Sequence, residues 1–331
     1  MPNNMELVVR RPEGLYCPPG DFYIDPWRAV PRAVITHAHA DHARAGHAHY
    51  LVSAQSENVL RARFGNLPMQ TLAYGETVTQ NGVCISLHPA GHVLGSAQVR
   101  LAYGGQVWVV SGDYKLAADP TCTAFEPVVC DTFITESTFG LPIYRWPESH
   151  DVMQSINQWW ASNASQGRSS LLYAYAFGKG QRLLAGLEHS IGPIITHGSF
   201  DALNAAYRHS GVALPETQRV TDVSAIDKKR ALILAPPSAA SSPWMKRFGE
   251  VSHAMVSGWM QVRGARRRRA VDRGFVLSDH ADWPGLLSAI QATGAERIIV
   301  THGNTAALIR WLKESGRIAQ SFETEYGEIE E

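Results

Sequence analysis

Apolar runs along this chain end, one after another, on a residue that can hold a metal or move a proton. Phe22-Tyr23-Ile24 runs into Asp25, and Ala33-Val34-Ile35 into Thr36 and His37. Val83 to Ala90 leads to Gly91-His92, Gln106 to Val110 to Ser111-Gly112-Asp113, and Thr132 to Thr135 to Glu136. Each run has the length and the apolar content of a buried strand. Turn chemistry accounts for one or two such endings, Asp25 before Pro26 among them, but hardly for the whole series. Strand ends that converge on one sheet edge are where α/β folds build active sites. The pattern therefore predicts an α/β chain whose site is assembled from residues far apart in sequence.

The densest stretch is Thr36-His37-Ala38-His39-Ala40-Asp41-His42. Imidazole and carboxylate suit zinc and similar divalent ions. No cysteine takes part, which excludes a zinc-finger pattern. Crowding three imidazoles at a strand end is costly if nothing binds them. At this spacing His37 and His39 face one ion, and Asp41 and His42 a second. His92 lies in Ala90-Gly91-His92-Val93-Leu94-Gly95-Ser96, where glycines allow a tight loop and a close approach to a metal. Asp113 can bridge two ions because a carboxylate has two oxygens. His47 and His49 follow among alanines and read as solvent-facing or supporting residues. Near the end, Arg297 to Thr301 repeats the pattern and stops at His302-Gly303.

With 331 residues, 45% of them hydrophobic, the chain can bury a large core as one big domain or two. Its net charge of +0 gives no global attraction to nucleic acid, so any such contact needs a local patch. The 4 cysteines form no CxxC pair; their even count allows paired disulfides, but their wide spacing favours the reduced thiols of a cytosolic chain. No signal peptide and no apolar run long enough for a membrane span is visible.

From Tyr144 the character changes to a smaller alternation of helices and strands over residues 145–260. Within it, Phe177-Gly178-Lys179-Gly180-Gln181 enters a helix, where backbone N–H groups, the helix dipole and a lysine can meet a phosphate. The spacing is not that of a P-loop, and an ordinary strand–helix connection is the other reading. Further on, Arg263-Gly264-Ala265-Arg266-Arg267-Arg268-Arg269 precedes Ser278-Asp279-His280. Forked guanidinium donors suit phosphates; a charged edge strand that resists aggregation is the alternative.

Taken in order, these residues resemble the metallo-β-lactamase superfamily, specifically its β-CASP nucleases. Asp25 looks like the first motif of that family, His37 to His42 the second, His92 the third and Asp113 the fourth. Glu136 in Glu-Ser-Thr-Phe-Gly, His280 in Ser-Asp-His and His302 look like the three β-CASP motifs. Closer still, the length and the Arg-rich approach to Ser-Asp-His-Ala-Asp-Trp resemble the bacterial DNA-ligase-associated exonucleases.

The resemblance implies a four-layer αβ/βα metallo-β-lactamase sandwich with an inserted β-CASP domain. Residues 1–143 and 272–331 would form the first domain and 144–271 the insertion. It implies two divalent metal ions, zinc with manganese as the alternative. His37, His39 and His92 would hold one, Asp41, His42 and His302 the other, and Asp113 would bridge. Asp41 would serve catalysis as well, and Asp25 would orient a ligand or the attacking water. His280, oriented by Glu136, would protonate the leaving 3′-oxygen. Lys179, Gln181, Ser278, Arg263, Arg266, Arg267 and Arg268 would contact phosphates. The implied activity is a DNA exonuclease on single strands, in repair beside a DNA ligase and other repair enzymes. His302 points elsewhere, because RNA-processing members carry histidine at this motif where DNA-processing members carry valine. An RNA-processing ribonuclease is therefore a rival reading. A hydrolase of small esters or thioesters and an inactive nucleic-acid-binding scaffold are two more.

Overall fold

In this computed structural model, which describes residues 6–240, 242–262, 264 and 271–322, the apolar runs form three sheets. The first has the order β1 (Val9–Arg11), β2 (Gly14–Cys17), β3 (Phe22–Ile24), β4 (Arg32–Val34), β5 (His49–Ser53), β6 (Met69–Leu72). Its β1–β3 part is antiparallel and its β3–β6 part parallel. The second has the order β18 (Ile318–Ser321), β17 (Arg297–Gly303), β11 (Thr132–Ser137), β10 (Gln106–Val110), β9 (Ala97–Tyr103), β8 (Val83–Pro89), β7 (Thr77–Gln80). Here β7 to β10 pair antiparallel, and β10, β11, β17 and β18 pair parallel.

The period of two along each strand decides what packs where. Trp108, Val110, Ile134 and Ile299 share one core with Leu15, Ile24 and Val34 of the first sheet. Their neighbours Val109, Phe133, Ile298 and Val300 turn the other way. They meet Leu286 and Ile290 of helix Trp283–Ala292, and Leu308 and Leu312 of helix Thr305–Glu314. Strands buried on both faces read as unbroken apolar runs. Each large side chain so buried contributes about 1.5–3 kcal/mol. Two sheets thus lie face to face with helices against the outer side of the second: the α/β sandwich expected from the sequence.

This stacking decides where the polar strand ends go. The parallel strands β10, β11 and β17 are neighbours, so Asp113, Glu136 and His302 emerge side by side. The carbonyl of Thr36, just past β4, accepts a 2.8 Å hydrogen bond from Ala97 N–H at the start of β9. That bond ties the histidine-rich turn of the first sheet to the second.

The chain divides into two compact units, one reaching Arg145 and resuming at His280, the other Trp146–Asp279. The sequence placed these breaks after 143 and after 271. The later return follows from β16 (Arg273–Phe275), which pairs with β15 (Val251–Val256) inside the second unit. That unit's sheet has the order β13 (Ile194–Thr196), β14 (Leu232–Ala235), β12 (Ser169–Tyr173), β15, β16, all parallel. Val152, Ile156 and Trp160 of helix Ser149–Ser165, with Leu183 and Leu184 of helix Lys179–Gly186, cover one face. Val220, Phe248 and Met260 cover the other, against Leu171, Tyr173 and Ile233.

Candidate metal centre

The centre lies within the first unit. The carboxylate of Asp113, just past β10, is its hub. Asp113 Oδ2 lies 3.4 Å from His37 Nε2, 3.4 Å from His42 Nε2 and 3.8 Å from His92 Nε2. His92 Nε2 is 2.9 Å from His39 Nδ1, and His42 Nε2 is 3.6 Å from Asp41 Oδ2. Two ligand groups result, His37, His39, His92 and Asp113, and Asp41, His42 and Asp113, with the donor atoms of each within 4.8 Å of one another. Gly112 makes the approach possible. It sits at φ +55°, and a Cβ there would stand 2.6 Å from the Thr36 side chain.

Two features test whether these residues suit a metal. The Nε2 atoms of His37 and His42 are buried and, among the described residues, have no hydrogen-bond partner, an arrangement that costs free energy unless something accepts their lone pairs. The 3.4 Å spacings to Asp113 are also longer than a good N–H···O hydrogen bond. Two ligands each about 2.1 Å from one tetrahedral ion stand about 3.4 Å apart. The donor set fits a pair of divalent ions sharing one carboxylate.

Asp25 holds the ligands from behind. Its Oδ1 accepts the Thr36 backbone N–H at 2.7 Å; its Oδ2 accepts the Thr36 hydroxyl and lies 2.7 Å from His42 Nδ1. A proton on Nδ1 leaves the His42 Nε2 lone pair for the centre. Asp25 and His302 have φ of +44° and +49°, the left-handed region that costs a residue with a side chain about 1–3 kcal/mol. Such strain persists where surrounding bonds enforce it. For Asp25 these are the contacts just named; for His302, its carbonyl accepts the Ser137 hydroxyl.

Electrostatics follow from burial and from the hub. Burial pushes His37 well below the ordinary histidine range, and charge on His42 pushes it further. Burial would lower His42 too, but Asp113, Asp41 and Asp25 together outweigh it and raise it well above that range. Burial alone would raise Asp113, yet His42, His280 and His37 hold it well below the usual carboxylate range. His302 is lowered by burial and by His42. It belongs to neither ligand group; its ring stacks on that of His42 with centroids 5.3 Å apart. A cavity of about 30 Å³ is lined there by Asp25, Asp41, His42, Ser111 and His302, among others.

Across the hub stands a second constellation. His280 Nδ1 is 3.0 Å from each oxygen of Glu136. The carboxylate is itself held by Tyr114 N–H at 2.9 Å and by the Thr138 hydroxyl at 2.5 Å. Asp113, Glu136 and His280 form a third group with donor atoms within 4.8 Å. With Nδ1 committed to Glu136, proton exchange at His280 falls to Nε2.

No protein-family model matches the chain. A protein of Opitutus terrae described as a probable DNA ligase is 32% identical over 319 residues, 94% of this chain and 31% of that protein. Endoribonuclease ysh1 of Emericella nidulans is 34% identical over 128 residues, 37% of this chain and 14% of its own length. Endoribonuclease YSH1 of Saccharomyces cerevisiae is 30% identical over 120 residues, covering 35% and 15%. The chain thus spans about a third or less of the curated relatives it matches. A crystal structure of a protein of unknown function from Enterococcus faecalis V583 has the same fold, with a TM-score of 0.58 at 12% identity over 90% of this chain and 80% of that one. The likeness to these relatives supports the resemblance to the metallo-β-lactamase superfamily and its β-CASP branch. Among its described residues no helix is long and apolar enough to cross a membrane.

The remaining residues singled out from the sequence lie elsewhere in the first unit, in the second unit or outside the described residues. Lys179 is fully buried, its Nζ 3.6 Å from Asp279 Oδ2. Gln181 is fully buried as well: its Oε1 accepts Gly178 N–H at 2.9 Å, and its Nε2 donates to Ala176 O and Asn204 Oδ1. The Gln181 side chain therefore caps the helix start, while that of Lys179 faces the Asp279 carboxylate. Ser278 is buried, and its carbonyl accepts from Arg182 Nη1 at 2.6 Å. Arg263, Arg266, Arg267 and Arg268 lie outside the described residues. His47, read as solvent-facing or supporting, is buried against Tyr50. His49 is exposed at the start of β5.

Sequence reasoning missed Thr36 and Thr138 as clamps on the two orienting carboxylates, although each adjoins a motif; Thr138, a hydroxyl two residues beyond Glu136, also carries a recognisable turn signal, whereas Thr36 lies 11 residues from Asp25. It also missed Arg63, whose guanidinium donates to the Ala38 carbonyl inside the histidine-rich turn. Helix Glu57–Phe64 delivers it from 25 residues away, and nothing local marks it.

Proposed function

We propose that the chain is a metal-dependent nuclease that hydrolyses phosphodiester bonds, acting as an exonuclease on single-stranded DNA in cytoplasmic repair beside a DNA ligase. The observation that carries this reading is the Glu136–His280 pair, which stations a proton-transfer residue in the same cluster as Asp113. Hydrolysis of a phosphodiester needs a donor for the leaving oxygen, and an oriented imidazole supplies one.

His37, His39, His92 and Asp113 would hold one divalent ion; Asp41, His42 and Asp113, with His302 alongside, would hold a second. Zinc suits these donors, with manganese the alternative. Such ions, when bound, supply Lewis acidity to water and to a phosphate oxygen. The chain's own residues do the rest. Asp25 and Thr36 keep His42 in place, and Asp113 joins the two ligand groups. Glu136 keeps the Nδ1 proton of His280 directed at itself, so Nε2 can protonate the leaving 3′-oxygen. The products carry 5′-phosphates.

The likeness to a probable DNA ligase over 94% of the chain supports work beside a ligase. One observation favours RNA instead: His302 stacks on His42, and the matched endoribonucleases cover 35–37% of the chain. Matched single strands of DNA and RNA, labelled at either end and incubated with the metal-loaded chain, decide between them. Stepwise release of nucleotides from DNA is the expected result. Cutting of RNA alone would replace the DNA reading, and cutting of neither would sink both.

A further inference from the structure

We propose that the second unit carries a base-stacking platform for single-stranded nucleic acid, built on Trp244 at the carboxyl edge of its parallel sheet. The proposal rests on the nuclease reading and adds a recognition site to it, apart from the metal centre. All strands of this sheet run the same way, so their carboxyl ends share one edge, the edge where parallel sheets bind ligands. His197 directly follows β13 there, its backbone N–H bonded to Leu234 O of β14 at 2.9 Å. The short helix Pro243–Arg247 follows β14 and brings Trp244 against it.

The indole is held on two sides. Its ring meets that of His197 at 79° with centroids 5.0 Å apart, and that of Phe248 at 66° and 4.7 Å. His197 is itself fixed, since its Nδ1 accepts Ser199 N–H at 3.2 Å. Yet Trp244 is only half-buried. A large aromatic ring fixed in orientation and left partly in water loses little entropy on stacking against another ring.

The flanking charge selects the partner. Lys246 and Arg247, on the same short helix, are exposed, and among the described residues neither side chain makes an ion pair. Glu250, the acidic residue nearest in sequence, pairs with neither. A rigid aromatic ring beside two uncompensated cations is the combination that binds single strands, bases on the ring and phosphates on the cations. A purely apolar partner would leave both cations unused.

The test uses the full metal-loaded chain in a His280→Ala background, where strands are cut slowly. Anisotropy reads the binding of fluorescein-labelled oligothymidylate, oligouridylate and an abasic strand of equal length. Trp244→Ala should weaken binding of the base-bearing strands about tenfold and leave the abasic strand unchanged. Trp244→Phe should bind close to the parent. Lys246→Glu with Arg247→Glu should weaken all three strands and flatten the salt dependence. A base-dependent loss on either oligonucleotide supports the platform, and the uridylate arm tells which sugar is accepted. Unchanged binding by Trp244→Ala overturns it, and so does an equal loss on the abasic strand. If the His280-intact chain cuts nothing while the base-dependent loss persists, the nuclease reading fails and the platform stands. If it cuts while Trp244→Ala binds normally, the platform fails and the nuclease reading stands.

Discussion

Asp25 grips His42 from behind, with Oδ2 2.7 Å from Nδ1, while Nε2 of the same ring lies 3.4 Å from Asp113. One carboxylate thus decides which nitrogen of His42 faces the centre. Asp25→Asn offers an amide where the charge was and weakens that choice. Outer partners of this kind are worth about 10–100-fold in metal affinity or activity. Metal titration with a competing chelator should show a loss of that size for the ion held through His42, with the His37 group less affected. Unchanged affinity for both would remove Asp25 from this role.

Asp113 belongs to every ligand group. Asp113→Ala should lower the metal content of the purified chain by at least one ion, read by elemental analysis. Full occupancy in this variant would mean that Asp113 is no hub.

His280→Ala should separate chemistry from binding. Its ring is anchored by Glu136, so metal content should hold. Strand hydrolysis should fall about 10²–10⁴-fold, the range for a lost general acid. Near-normal turnover would rule out the proton-donor role.

His47 offers a pH test away from the ligands. Its Nδ1 accepts Val30 N–H at 3.3 Å, and burial holds its pKa below the ordinary histidine value. The unfolded chain therefore takes up this proton first as pH falls through about 6.5. The stabilisation is whole above that pH and is lost as pH falls toward the folded-state value. His47→Asn keeps an acceptor for Val30 and removes the titration. Its melting temperature should fall less than the parent's between about pH 7 and pH 5. Parallel curves would count against this account.

The thiols give a check on the fold itself. Burial pushes Cys17 up to about 11 and Cys130 up to about 12, whereas Cys84 and Cys122 are half-buried. Thiolate is the reactive form. Native-state alkylation near pH 8, read by peptide mass spectrometry, should mark Cys84 and Cys122 before Cys17 and Cys130. The reverse order would contradict the packing around the first two sheets.

Much of the metal centre was legible because its strands are buried on both faces and announce themselves as apolar runs. β10 and β11 could be placed nearly to the residue, and with them Asp113 and Glu136. β7 was not, since its Thr-Val-Thr-Gln is exposed or half-buried throughout. Helix Trp283–Ala292 was missed because its first turn holds Pro284 and Gly285, residues that read as a break. There, Asp282 caps the helix by accepting Gly285 N–H at 2.9 Å, and proline in a first turn lacks only a donor that would be unused. Gln181 shows the limit of motif reading: a glycine-rich helix start suits a bound phosphate or a buried cap, and nothing local to the sequence shows that the Gln181 amide oxygen accepts the Gly178 N–H.

The place of β17 in its sheet has a consequence for synthesis. It lies between β11 and β18, and its Thr301 hydroxyl donates to Thr135 O across 166 residues of chain. Until this strand emerges and docks, β11 has an open edge and His302 is absent. So distant a pairing is slow to close. A chain cut short before Arg297 would hold the histidine-rich turn but lack β17 and His302, so the candidate centre is assembled only once this distant strand has docked.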